Sequence, residues 1–315
     1  MIRHRYDAAA RVSDSWQRGV LATVLLVISG RFVWRVVGSG VDFPRHSTQE
    51  TTSMPRISIG DCSLYYEEYG SGEPLLMVPG LGGTLSGFSK VIPGLAKHFR
   101  VIAHDHRGCG QSDKTLMTYS VDQMANDVLR LMDALKLDSA HYLGHSTGGA
   151  MGQTIAIEHP SRLRKLILSA TWTHNDAHFS RSFEARRALL QHLGPAAYTR
   201  GSNPGLWPGW WSTANEAFLA EQEAKQIATF PPAEIMLSRI DAIMRFDRRS
   251  GLGKIKAPTM AIVAAEDCLT PPYFSETLAK AIPGATLKIL PRGGHFLYQV
   301  DPQPYEDAVL AFLRA

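Results

Sequence analysis

The sequence predicts an α/β fold with a mostly parallel central sheet and helices on both of its faces. Short apolar runs that are typical of buried strands alternate with amphipathic helical patterns. Residues 144–148 form a Gly-x-Ser-x-Gly motif between one such strand and a helix, which is typical of a sharp strand-to-helix turn. The chain has 315 residues, of which 44% are hydrophobic and 20% charged, so a substantial core is expected.

The predicted strands begin at residue 57. Residues 57–59 and 63–69, separated by Gly60 and Asp61, are expected to pair as an antiparallel hairpin at the sheet edge. Ser120 and Gln123 match a capping box, which predicts that a helix begins there. Later strands are predicted at residues 74–78, 101–104, 139–143, 163–169, 259–263 and 285–290, before a last helix at 304–313.

The alternation stops between residues 171 and 250, where only helical patterns occur. An insertion of this length predicts a helical cap over the strand ends, where open α/β sheets bind ligands. The core would then comprise residues 54–170 and 251–315. We expect a cap tryptophan to line the substrate pocket, although packing among themselves is the simpler alternative; the candidates are Trp172, Trp207, Trp210 and Trp211. Cap arginines that could bind a substrate carboxylate, or could simply face solvent, are Arg186, Arg187, Arg245, Arg248 and Arg249.

Residues 1–53 form an N-terminal extension that carries most of the net positive charge. Seven arginines and four acidic residues give it a net charge of +3 (7 − 4), whereas the whole chain has +4. The remaining chain has almost no basic excess, so no nucleic-acid partner is expected. The apolar run at residues 20–28 is too short to span a bilayer, so no stable membrane span is expected.

Three interpretations of this extension stay open. The first is a disordered tail or a start site assigned upstream of Met54, the second is a signal peptide, and the third is a short membrane-associated helix. We expect a cytoplasmic location, with export as the alternative if residues 1–35 act as a signal peptide.

The three cysteines, Cys62, Cys109 and Cys268, are too few and too scattered to form a disulfide framework. They also lack the spacing of metal ligands. We therefore expect reduced thiols, and neither a metal nor an organic cofactor.

Three residues that together suit nucleophilic catalysis each lie just past a predicted strand: Ser146, Asp267 and His295. Taken singly, each has a plainer role, as a buried serine at a helix start, a helix cap or a loop histidine. Their order along the chain is the order of a catalytic triad in a fold with this strand-to-helix turn. We therefore expect them to act together.

Two loops are expected beside this serine. The loop at 79–83 lacks the Gly-x-Gly-x-x-Gly spacing of a dinucleotide turn. Its glycines would instead allow the backbone N–H of Leu81 to point into a site, with an ordinary loop as the alternative. Residues 104–113 contain two histidines and two aspartates but lie too close to their own strand end to offer a nucleophile and a base. We interpret them as a structural loop that braces the site.

The chain resembles the α/β-hydrolase superfamily over essentially all of residues 56–314. The matching motifs are PGLG at 79–82, DHRGCGQS at 105–112, GHSTGG at 144–149, EDCLTP at 266–271 and GGH at 293–295. The resemblance implies the α/β-hydrolase fold, with Ser146 as nucleophile, His295 as base and Asp267 as the carboxylate that orients it. It also implies an oxyanion hole formed by the backbone N–H groups of Leu81 and Thr147. Many members have His-Gly where this chain has Pro-Gly, a change that leaves these donors in place.

Within the superfamily the chain looks like the 3-oxoadipate enol-lactonases and the aminoacrylate hydrolases of pyrimidine utilisation. Residues 175–178 and 182–190 resemble the latter. Ser146 favours ester or lactone chemistry, so we expect a carboxylic ester hydrolase that cleaves a small to medium ester or enol-lactone through an acyl-enzyme. The alternatives are C–N or C–C bond hydrolysis, perhydrolase activity, and non-catalytic binding of a small molecule. The sequence does not predict the oligomeric state.

Overall fold

The computed structural model describes residues 56–315. The predictions for the N-terminal extension, including the signal peptide and the membrane-associated helix, lie outside these residues. Within residues 56–315, no helix combines the length and the apolar character needed to cross a membrane.

A central sheet of eight strands organises the described part of the chain. The strands are β1 (Arg56–Ser58), β2 (Ser63–Tyr69), β3 (Pro74–Val78), β4 (Arg100–His104), β5 (Ala140–His145), β6 (Leu163–Ser169), β7 (Thr259–Ala264) and β8 (Thr286–Leu290). Their order across the sheet is β1-β2-β4-β3-β5-β6-β7-β8. β2 pairs antiparallel with β1 and with β4, and all other neighbours are parallel. The predicted sheet, with its edge hairpin, is confirmed.

Helices cover both faces of this sheet, as predicted. They are α1 (Ile92–Leu95), α2 (Val121–Ala134), α3 (Thr147–Glu158), α4 (Ala177–Leu206), α5 (Gly209–Ala214), α6 (Glu216–Ala228), α7 (Ala233–Met244), α8 (Pro272–Ala281), α9 (Leu297–Val300) and α10 (Pro302–Arg314). Leu76 and Val78 of β3 lie in the apolar cluster that contains α2, α3 and α8. Leu75 and Met77 lie in the opposite cluster, with α1 and α10. The alternation follows from the two-residue period of a strand that is buried on both faces.

The carboxyl ends of the parallel strands meet at one edge of the sheet. The chain runs from β3 outward to β4 and then returns to β5 on the other side of β3. This reversal is the topological switch point, where open α/β sheets bind ligands. Val78 of β3 lies opposite Gly144 of β5, and Ala264 of β7 lies opposite Leu290 of β8. The segments that follow these strands contain all the predicted triad and oxyanion residues.

The segment between β6 and β7 is helical, as predicted, and contains α4 to α7. α4 bends at Gly194, where a φ of +81° interrupts the helical backbone, and Pro195 follows directly. The insertion is attached to the core in part through α7, because the N–H of Tyr119 donates a hydrogen bond to Ser238 Oγ (2.9 Å). Its role as a cap, with limits at 171 and 250, stays a prediction.

The capping box predicted at the start of α2 is only half formed. Ser120 Oγ accepts the backbone N–H of Gln123 (3.0 Å). The side chain of Gln123 does not return to Ser120, because its Nε2 donates to Asp127 Oδ2 (2.6 Å). Asp127 also accepts a hydrogen bond from the buried Arg107 (2.9 Å). The Gln123 side chain thus binds a carboxylate one turn along α2 that is itself held by an ion pair, and it does not bind the backbone of Ser120.

Two buried histidines lie at the carboxyl end of β4. The rings of His104 and His106 have centroids 5.3 Å apart, and both residues are almost fully removed from solvent. Burial lowers the pKa of His104 from 6.5 to about 4. Burial, together with the charge of Arg239, lowers the pKa of His106 well below 6.5. Both imidazoles are therefore neutral in the folded protein at neutral pH.

We expect the free energy of unfolding to fall as the pH drops from about 6.5 towards 4, because the unfolded chain takes up protons that the folded protein excludes. His104 alone would contribute up to about 3 kcal/mol to this loss. Urea unfolding at neutral and mildly acidic pH measures it. The loss should be smaller in His104→Gln and unchanged in His98→Gln, which alters an exposed histidine. An equal loss in His104→Gln and in the wild type would contradict this expectation.

Candidate active site

Ser146 lies in a strained turn between β5 and α3. Its φ of +53° and ψ of −116° are rarely adopted by a residue other than glycine. The end of β6 and the segment after it stabilise this backbone on both sides. The N–H of Ser146 donates to the carbonyl of Ser169 (2.8 Å), and Thr171 Oγ1 donates to the carbonyl of Ser146 (2.7 Å). The sharp turn predicted from the sequence motif is present.

Two glycines make this turn possible. A Cβ on Gly144 would overlap the carbonyl group of Gly148, and a Cβ on Gly148 would overlap the carbonyl of Val78 at the end of β3. Both positions therefore exclude any side chain, because β3, β5 and α3 approach each other through their backbones.

The backbone N–H groups of Leu81 and Thr147 belong to the two segments that meet at Ser146. Gly80 lies against the serine, since a Cβ on Gly80 would be 3.1 Å from Ser146 Cβ. Thr147 is the first residue of α3, so its N–H has no acceptor within the helix. Neither amide donates a hydrogen bond to another residue of the described chain. Both are available to an oxygen atom of a ligand.

The glycine-rich loop after β3 is supported by the loop after β4, in agreement with the bracing role predicted for the latter. The N–H of Gly83 donates to the carbonyl of Gly80 (2.9 Å) and closes a turn. The N–H of His106 donates to the carbonyl of Gly83 (2.8 Å). Asp105 Oδ1 accepts the N–H of Leu85 (2.9 Å).

Asp267 and His295 form a buried, hydrogen-bonded pair past the ends of β7 and β8. His295 Nδ1 lies 2.9 Å from Asp267 Oδ2. Asp267 Oδ1 accepts the backbone N–H groups of Leu269 and Thr270, each at 2.9 Å. Oδ2 also accepts the hydroxyl of Thr270 (2.9 Å). Donors on both oxygens fix the carboxylate, and a His295 ring that donates Nδ1–H keeps Nε2 available as a base.

Ser146 and His295 reach the same end of the sheet, but no hydrogen bond joins Ser146 Oγ to His295 in the part of the chain that the structure describes. Such contacts commonly shorten only when a substrate is bound. His145 precedes Ser146 and packs against His295. Its ring centroid lies 4.8 Å from that of His295 and 4.9 Å from that of Tyr298. Burial, together with the charge of His295, lowers the pKa of His145 well below 6.5. The imidazole of His145 is therefore neutral at neutral pH.

The four candidate tryptophans occupy different environments. Trp172 is fully buried and packs against Phe179, with ring centroids 4.5 Å apart. Trp207 stacks on Trp211 (4.6 Å) and also contacts Phe296, the residue after His295 (4.9 Å). These contacts show apolar packing, and a pocket role for any of them stays a prediction.

The fourth tryptophan, Trp210, is 42% exposed and contacts the loops of the acid and the histidine. Its Nε1–H donates to Glu266 Oε1 (3.0 Å), and Glu266 Oε2 accepts the N–H of Gly293 (3.0 Å). Nearby, the N–H of His295 donates to the carbonyl of Leu206 (3.0 Å). The tryptophan-rich segment therefore supports the loop that carries His295.

Residues 56–315 contain no group of three or more His, Cys, Asp and Glu side chains that could bind a metal ion. Cys62, Cys109 and Cys268 are free thiols, as expected.

Comparison with known proteins agrees with this geometry. The sequence model of a family described as the alpha/beta hydrolase fold matches residues 73–302. The chain belongs to the α/β-hydrolase family.

Individual hydrolases are similar to this chain in sequence and in structure. The chain is 37% identical over 259 residues to the candidate carbamate hydrolase RutD of Azorhizobium caulinodans, a match that covers 82% of this chain and 98% of the relative. A solved hydrolase from Pseudomonas aeruginosa PA01 is 30% identical, with a TM-score of 0.77 over 84% of this chain and 100% of that one. An enol-lactonase from Burkholderia xenovorans LB400 is 26% identical, with a TM-score of 0.77 over 83% and 100%. The predicted superfamily is confirmed, and the protein is a hydrolase.

Two residues of the α/β hydrolase that the sequence analysis missed contact the site. Thr270 lies in the EDCLTP motif, three residues after Asp267, and this spacing could have identified it. Arg239 is buried in α7 beside Leu81, with nothing in its sequence context to distinguish it from other arginines. All five candidate arginines of the insertion form ion pairs or hydrogen bonds with protein groups, namely Arg186, Arg187, Arg245, Arg248 and Arg249.

We expect Thr270→Val to lower the free energy of unfolding by about 1–3 kcal/mol, because it removes a buried hydroxyl that donates to a carboxylate. Urea unfolding measures the loss. Thr277→Val is the matched control, since that exposed hydroxyl binds only a helix carbonyl (2.7 Å), and its effect should stay within about 0.5 kcal/mol. Equal effects of the two changes would show that the Thr270 contact does not stabilise the acid loop.

Proposed function

We propose that this hydrolase cleaves a carboxylic ester or lactone of small to medium size through an acyl-enzyme on Ser146. The observation that carries the proposal is the meeting, at one end of the sheet, of a serine in a strained turn, two free amides and a buried Asp–His pair. Acyl transfer uses all three features, as nucleophile, oxyanion hole and general base. A protein that only binds a ligand needs no such combination.

In the first step, His295 Nε2 takes the hydroxyl proton of Ser146 as Oγ bonds to the carbonyl carbon of the substrate. Asp267 accepts the Nδ1–H of His295 (2.9 Å), which fixes the tautomer and stabilises the imidazolium. The carbonyl oxygen becomes an oxyanion that accepts the N–H groups of Leu81 and Thr147. Each donor of this kind lowers the barrier by roughly 3 kcal/mol.

In the second step, the bond from the carbonyl carbon to the leaving oxygen breaks, and His295 gives its proton to that oxygen. Water then attacks the ester formed by Ser146, with His295 as base. The tetrahedral intermediate collapses, Ser146 regains its proton from His295, and the carboxylic acid leaves.

Carbamate hydrolysis is the second candidate. The observation that favours it is the 37% identity to the candidate carbamate hydrolase over 98% of that relative's length. The same residues serve this reaction, with His295 donating its proton to a leaving nitrogen instead of an oxygen. The likeness to an enol-lactonase favours the ester or lactone reaction.

We expect a fluorophosphonate probe to form a covalent adduct on Ser146 of the full chain, detected by intact mass and peptide mapping. The adduct should be absent in Ser146→Ala and strongly reduced in His295→Ala, because both lose the activated serine. Ser139→Ala is the control, because Ser139 directly precedes β5 at the end of that strand opposite Ser146. This variant should react like the wild type. A folded wild-type protein that forms no adduct would remove Ser146 from the mechanism.

Kinetics with an aryl acetate, an enol-lactone and an N-alkyl carbamate would separate the two candidates. We expect the larger kcat/KM with the ester or the lactone, and a loss of at least about 10⁴-fold in Ser146→Ala for every substrate that is turned over. A kcat/KM for the carbamate that exceeds both others would favour the second candidate.

A further inference from the structure

Arg239 of α7 is fully buried. Its guanidinium lies 5.6 Å from the ring centroid of Tyr119, and it forms no ion pair with a carboxylate of residues 56–315. Burying a charge without a counter-ion is costly, so neutral acceptors must compensate it. The identity of these acceptors indicates what the residue does.

The acceptors of Arg239 belong to two loops beside the candidate active site. Nη2 donates to the carbonyl of Leu81 (3.2 Å) and to His106 Nδ1 (2.7 Å), and Nη1 donates to the carbonyl of Arg107 (3.2 Å). His106 can accept this bond because it is neutral, its pKa being well below 6.5 through burial and the charge of Arg239. One side chain of the helical insertion thus joins the loop after β3 to the loop after β4.

Two hydrogen bonds, one of them from Arg239, fix the peptide planes on the two sides of Leu81. The plane between Gly80 and Leu81 is fixed by the hydrogen bond from the N–H of Gly83 to the carbonyl of Gly80 (2.9 Å). Because a trans peptide points its N–H opposite to its carbonyl, the N–H of Leu81 is directed away from that turn. The next plane is fixed by Arg239, which donates to the carbonyl of Leu81.

We infer that Arg239 is a positioning residue for the oxyanion hole, acting through the backbone of Leu81. The inference rests on the proposed function, in which the N–H of Leu81 binds the oxyanion. It gives the helical insertion a part in positioning the oxyanion hole, since Arg239 of α7 binds a loop of the core. A fixed donor needs no reorganisation when negative charge develops on the substrate, and a small displacement removes much of its effect.

The test uses the full chain and three variants. Arg239→Met removes all three hydrogen bonds, whereas Arg239→Lys keeps the charge but lacks the planar group that reaches two loops at once. Arg162→Met is the matched control, because Arg162 also donates to two loop carbonyls, those of Asp138 (2.9 Å) and Leu137 (3.0 Å), away from the site. Each folded variant is compared below its own unfolding temperature.

Steady-state kinetics with the best substrate are the first readout. We expect Arg239→Met and Arg239→Lys to lower kcat by about 10- to 100-fold with KM within about threefold of the wild type, as for a displaced oxyanion donor. Arg162→Met should keep both constants. Wild-type kcat in Arg239→Met, or full recovery in Arg239→Lys, would overturn the inference, the latter because charge alone would then suffice.

Amide hydrogen exchange is the second readout and needs no turnover. We expect the amides of Gly83 and His106, which close the two loops, to exchange at least tenfold faster in Arg239→Met than in Arg162→Met. Unchanged exchange would overturn the inference, even if the wild type proved inactive and the proposed function failed. If Arg239→Met does not fold, the exchange rates of these two amides are compared between Arg239→Lys and Arg162→Met. Faster exchange in Arg239→Lys supports the inference, and equal exchange overturns it.

Discussion

The close backbone contact between β3, β5 and α3 is the constraint on which the site depends. Gly148 lies directly against the carbonyl of Val78, and Gly144 lies against Gly148. This contact forces the chain to turn sharply at Ser146, whose backbone strain costs on the order of 1–3 kcal/mol. Hydrogen bonds with Ser169 at the end of β6 and with Thr171, together with the core on both sides of the sheet, offset this cost. The same contact brings the serine beside the loop after β3.

The helical insertion contributes to the site from two directions. On one side, the carbonyl of Leu206 and the indole of Trp210 support the loops that carry His295 and Asp267. On the other side, Arg239 contacts the loop that contains Leu81. The insertion, which the sequence predicts to be a cap, therefore contacts both the loops of His295 and Asp267 and the loop of Leu81. If the proposed mechanism holds, changes in the insertion would alter the chemistry of the site.

The histidines near the site differ in their surroundings, and this separates their roles. His104, His106 and His145 are buried without a carboxylate partner in the described chain, and burial lowers the pKa of each. His295 alone among these four contacts a carboxylate, that of Asp267. A carboxylate stabilises an imidazolium, whereas an apolar surrounding opposes it. In the proposed mechanism this contrast makes His295, and not one of the other three histidines, the base.

The sequence by itself determined the parallel sheet, the strand-to-helix turn and the order of Ser146, Asp267 and His295. These features follow from short-range rules: apolar periodicity marks strands, and a tight turn needs glycine at fixed spacing. Only the tertiary structure decided the partners of Gln123, the packing of the tryptophans and the place of Arg239. Arg239 and Leu81 are 158 residues apart in the chain, and a contact over that distance leaves no local pattern, because it arises only when separate elements pack together.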